Sequence, residues 1–81
     1  MKNRDQIRKA VLLALRSADG VAMPHTALVG SCLTLWPKPT IGEVNVAIKE
    51  LETELLIDGA NTFNGLSWVL TVNGIHQAQQ L

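Results

Sequence analysis

Glu50, Glu52 and Glu54 stand at alternate positions and form the densest run of carboxylates in this 81-residue sequence. Carboxylates this close do general acid–base work when their surroundings push their pKa values apart. Here no nucleophile motif and no glycine-rich phosphate loop accompanies them, and they read as a solvated charge run. His25 and His76 have no Cys, Asp or Glu at metal-ligand spacing, so both read as surface residues at polar helix starts. The lone cysteine, Cys32, excludes an internal disulfide. It falls on an apolar helix face with no base beside it in sequence, which predicts a small buried hydrophobe, not a nucleophile. No catalysis, cofactor or metal is expected.

What remains is the distribution of charge. The formal total is zero, yet residues 1–20 hold five cations (Lys2, Arg4, Arg8, Lys9 and Arg16) against Asp5 and Asp19. Residues 40–60 set Lys49 alone against Glu43, Glu50, Glu52, Glu54 and Asp58, and residues 61–81 carry no formal charge. Such a dipole along the chain has three readings. The first is a solvated helix face, with Asp5 pairing to Arg8 or Lys9. The second is a phosphate-contacting arm of Lys2, Arg4, Arg8 and Lys9. The third is self-association, in which the positive helix of one copy meets the negative helix of another.

The elements that must position these groups follow from periodicity. The length makes one domain, residues 1–81, and 47% apolar content with few aromatics fits a compact cytoplasmic core of Leu, Val, Ile and Ala. The apolar run "AVLLAL" is too short for a membrane span, and no partner membrane is expected. Asn3 suits a helix cap with Gln6 three residues on, and Ile7, Val11, Ala14 and Leu15 recur at helical spacing, predicting a first helix over 4–17. Leu12 and Leu13 add burial on a second side. Residues 21–23 predict a single-bridge strand, and Pro24 the first turn of a second helix over 25–35, with Leu28, Val29, Cys32 and Leu33 inward.

Pro37 and Pro39 then break the chain, and Trp36 beside them is expected to cover the core between the second and third helices, with an exposed partner anchor as the other reading. Thr40 and Glu43 form a Thr-x-x-Glu capping box opening a third helix over 41–54, with Ile41, Val44, Ile48, Leu51 and Leu55 as its stripe. After it the period changes to two. Asn64-Gly65 predicts a two-residue hairpin turn, Gly59 a bulge or a close backbone approach, and Thr71 the cap of a last helix over 72–80 with Ile75 and Ala78 inward.

The closing stretch Trp68-Val69-Leu70-Thr71-Val72-Asn73-Gly74-Ile75-His76-Gln77-Ala78 resembles the end of winged-helix regulators. In these, a wing strand of the form aromatic-x-Leu-Thr-x-x-Gly-x-x-x-Ala runs into the final helix. "ELETELLI" is similar to the stretch where their recognition helix enters the wing. The resemblance implies a mainly α fold with a small β-hairpin: helix, short strand, helix, helix, two-stranded wing, helix. It implies a DNA-binding protein or transcriptional regulator with helix 41–54 as recognition helix. On this chain that assigns contacts with double-stranded DNA to Lys38, Thr40, Gly42, Asn45, Val46 and Lys49, and to Asn61 and Asn64 on the wing. A winged-helix protein-interaction module is the alternative, with Glu43, Glu50, Glu54 and Trp36 meeting a protein partner. Small stand-alone domains of this kind occur in bacteria and their phages in either role.

Overall fold

The computed structural model describes residues 2–63 and 65–81, with side chains from residue 4 onward. Its elements run α1 (Lys2–Ser17), β1 (Met23–Pro24), α2 (His25–Leu35), α3 (Ile41–Thr53), β2 (Ile57–Thr62), β3 (Gly65–Leu70) and α4 (Val72–Gln79). The chain is thus mainly helical with a small antiparallel sheet of order β1-β3-β2.

Helix α1 is the hub and packs against α2, α3 and α4. Ile7, Ala10, Val11, Ala14 and Leu15 are buried on one stripe, and Leu12 is buried as well, so burial does reach a second side. The helix extends two residues upstream of the predicted start, which puts Asn3 in its first turn rather than at the cap. Asp19 and Gly20 take positive φ, and Val21 still donates to the Ala18 carbonyl at 3.1 Å. The turn therefore runs through Val21, which is exposed, and the strand expected at 21–23 shifts to Met23–Pro24. Pro24 belongs to this edge strand, where a missing N–H is tolerated, and caps α2 with extended ψ instead of entering its first turn.

The capping box at α3 is present in full: Glu43 N–H donates to Thr40 Oγ1 and Thr40 N–H to Glu43 Oε1. Val44, Ala47, Ile48 and Leu51 form the buried stripe. Ile41 and Leu55, predicted to extend it, are 60% and 68% exposed. Ile41 is the first helical residue, at the helix's outer end. Leu55 has left the helix: its φ is +62, its N–H bonds Glu52 O, and Leu56 N–H bonds Leu51 O. This is the Schellman ending, normally built on glycine, and here it swings a leucine outward.

Strands β2 and β3 pair without interruption from Ile57↔Leu70 to Thr62↔Gly65. No bulge occurs at Gly59, and what lies close to it is a side chain and not backbone: the Trp68 ring, which a Cβ on residue 59 would meet at 2.8 Å. The ladder closes at Thr62↔Gly65, so Gly65, expected in the turn, is the first residue of β3, where it takes a positive φ of 92. Asn64 itself lies outside the described residues. Thr71 caps α4 by accepting from Gly74 N–H at 3.1 Å, and Ala78 faces the core. Ile75, expected inward, is 45% exposed because Gly74 and Ala78 take the inner face.

Two substitutions test these junctions in opposite directions. A Cβ on Gly74 would sit 1.8 Å from the Leu56 carbonyl oxygen, so Gly74→Ala is expected to destabilise the fold by about 3 kcal/mol. Leu55→Gly relieves the left-handed backbone and should stabilise by about 1 kcal/mol. Urea denaturation reads both; a neutral Gly74→Ala would refute the packing described.

Candidate functional site on the outer side of helix α3

The Thr40–Glu43 box fixes where α3 starts, and its buried stripe against α1 fixes which side is left outside. On that outer side are Gly42, Val46, Lys49 and Thr53, all exposed, with Asn45 half-buried at the edge. Two shallow hollows of about 550 Å³ each flank the Val46–Glu50 ridge. One is lined by Asn45, Lys49 and Thr53, the other by Thr40, Gly42 and Glu43, and Arg4 reaches both.

The charges of α1 and α3 meet inside one chain. Arg4 Nε donates to Glu50 Oε1 at 3.0 Å and its Nη2 to Oε2, while Arg8 forms a two-pronged pair with Glu54. Planar guanidinium forks match carboxylates in this geometry. The hydrogen-bonded Arg8 guanidinium holds the Glu54 carboxyl below the usual carboxylate range, and Glu54 raises Arg8 in turn. Arg4 and Arg8 are engaged with α3 of their own chain, so a phosphate or a second copy would have to compete with Glu50 and Glu54 for them. Asp5 forms no ion pair among the described residues and acts on Arg8 only through space. Lys9 stays exposed, and the Lys2 side chain lies outside the described residues.

The other candidates divide. Lys49 is exposed, 3.5 Å from Glu52 Oε1, with its Nζ 5.9 Å from the Trp68 ring centroid. Lys38 lies over Trp36, 5.6 Å from the ring centroid. Trp36 packs half-buried on the core as expected, and its indole N–H is buried without a described acceptor. Asn61 is exposed and pairs with Leu66 toward the hairpin tip, where Phe63 is fully exposed. Glu43 is occupied by its cap. Cys32 is 1% exposed and burial pushes its thiol up to about 11, as suits a core residue.

His25 is the residue the sequence did not reveal. Far from being an isolated surface group, its Nδ1 accepts from Trp68 Nε1–H at 3.0 Å and its Nε2 lies 2.9 Å from Asn45 Oδ1. It links β3, the start of α2 and α3. The partners lie 43 and 20 residues away in sequence, beyond any local pattern.

No helix among the described residues is long and apolar enough to cross a membrane, and among them no group of three or more His, Cys, Asp or Glu is placed to hold a metal ion. No protein-family model, curated protein or solved structure matches the chain.

The Arg8–Glu54 pair has a testable pH signature. A carboxylate whose pKa is lowered on folding adds stability above its unfolded-state pKa and gives it up as pH falls through the folded-state value. Both partners are solvent-accessible, so a double-mutant cycle of Arg8→Met and Glu54→Gln should give a coupling of about 0.5 kcal/mol near neutral pH. It should vanish once the solution is acidic enough to protonate Glu54. An unchanged coupling in acid would contradict the pairing.

Proposed function

We propose that the chain is a winged-helix module that binds duplex DNA through the outer side of α3, with the β2–β3 hairpin as its wing. The element order supports the fold: a helix, a short edge strand, two helices, a hairpin and a capped closing helix. In this arrangement α3 is the second helix of the pair and the one that enters a major groove.

The observation that carries the reading is the engagement of Glu50 and Glu54 by Arg4 and Arg8. In the bare sequence α3 is acidic and phosphates would repel it. With those carboxylates paired toward α1, the outer strip of Gly42, Asn45, Val46, Lys49 and Thr53 is small, neutral or cationic. The start of α2 adds donors. Helix α2 has neither an acidic residue in its first turn nor a side-chain cap, and such amide groups suit phosphate oxygens. At α3, Thr40 and Glu43 satisfy each other, which keeps that carboxylate occupied.

A protein partner is the second reading, favoured by one observation: the apolar side chains of Ile41, Val46 and Phe63 are all more than half exposed. Exposed apolar surface suits a protein better than a phosphate backbone.

Titrating labelled duplex DNA at low and at moderate salt decides between them. Binding is expected at low salt with a shallow slope of about −1 to −3 in log K against log salt, because few cations are free. Lys49→Glu should weaken binding and remove about one unit of that slope. No binding at low salt would reject the DNA reading and leave the protein partner.

A further inference from the structure

The Trp68–His25–Asn45 chain runs in one chemical direction only. An indole N–H donates and never accepts. Since Trp68 Nε1 lies 3.0 Å from His25 Nδ1, that nitrogen must be the acceptor and the imidazole proton sits on Nε2. Nε2 therefore donates across the 2.9 Å to Asn45, and the amide atom facing it must be the oxygen. The orientation of the amide follows from this order, since the reversed amide would set N–H against N–H. Asn45 Nδ2 keeps both of its hydrogens, and no described residue accepts from it. Asn45 lines the hollow that also holds Val46, Lys49, Thr53 and the paired Glu50 and Glu54.

Resting on the DNA-binding reading above, we propose that Asn45 is a specificity-determining residue that offers a base only donors and so selects guanine over adenine, with His25 and Trp68 as positioning residues. An unrestrained asparagine favours adenine, because its oxygen accepts from N6–H while its nitrogen donates to N7. With the oxygen turned to His25, the N6 amino group of adenine meets another donor. Guanine presents O6 and N7, both acceptors, at the same edge. Lys49, one turn further along the same strip, is also a pure donor, so the two side chains ask for the same kind of edge.

Selection from randomised duplexes tests this. The wild-type chain should enrich guanine over adenine at one position by roughly tenfold, and Asn45→Ala should level that position alone. His25→Phe and Trp68→Phe release the amide and should move the same position toward adenine; a merely structural role would weaken all sequences alike. Should those variants fail to fold, nitrogen-15 NMR of the wild-type His25 ring reads the tautomer directly, and a proton on Nδ1 overturns the inference. Adenine at the position that Asn45→Ala levels overturns it too, while leaving DNA binding intact. Absence of binding to any duplex removes the underlying reading, and this inference with it.

Discussion

The carbonyl of Leu56 leaves room for a glycine and nothing larger. Gly74 lies against it so closely that any Cβ would overlap the oxygen, and Thr71 N–H donates to the same carbonyl at 3.1 Å. Thr71 Oγ1 meanwhile donates to Leu55 O at 2.6 Å and accepts from Gly74 N–H. One threonine and one glycine thus join the end of α3 to the corner between β3 and α4. Everything distal to α3 takes its direction from this joint. The hairpin must leave at the angle that keeps Thr71 on Leu55, and α4 must start where Gly74 can pass Leu56. With α4 so placed, Ala78 is fully buried and its carbonyl receives Arg16 of α1 at 3.2 Å. The strain of a leucine at positive φ is held in place by the same contacts, since Leu55 O is one of the acceptors they use.

A second tie runs from the sheet to α3. Trp68 is 1% exposed, and its ring fits only because residue 59 opposite has no side chain. Burying an indole leaves one N–H to satisfy. His25 does so and passes the polarity on to Asn45. The ion pairs from α1 complete the set, so α3 is held along its length: by its cap at the start, His25 at Asn45, Arg4 at Glu50, Arg8 at Glu54 and the Leu56 joint beyond its end. A helix whose outer side is to meet a partner has to present it at a fixed angle, and packing alone specifies that angle less tightly than directional bonds do.

The legible parts of this fold are those written in short sequence spacings. Thr40 and Glu43 are three apart, and so are Thr71 and Gly74; each pair signals a cap that the structure contains. The stripes of α1 and α2 are likewise local patterns. Periodicity misplaced Ile41, Leu55 and Ile75 because it cannot see where a helix stops contacting its neighbour or that a leucine will adopt a left-handed backbone. It also treated Gly59 without knowing what would lie across the strand. The contacts that define the site were illegible for a different reason. Arg4 and Glu50 are 46 residues apart, as are Arg8 and Glu54, and the sequence displays only that opposite charges exist. Whether they meet within one chain or between two is a question of topology.

That topology sets the balance of forces at the outer side of α3. On the proposed DNA-binding reading, arginines that neutralise Glu50 and Glu54 cannot also neutralise phosphates, so the contact that would make the surface acceptable to DNA also withholds the cations that would hold DNA there. Sequence-independent affinity scales with the number of phosphates neutralised, and with Lys49 shared with Glu52 that number is small. On that reading recognition would rest on features that do not depend on net charge: helix-start amides, close approach at Gly42, apolar contact through Val46, and a directed amide at Asn45. Such a surface gains little from steering and much from fit. If the proposed reading holds, its discrimination among duplexes would be large relative to its affinity for any of them. The rigidity of α3 is the physical condition for that discrimination, because a hydrogen bond donor whose angle drifts cannot tell one base edge from another.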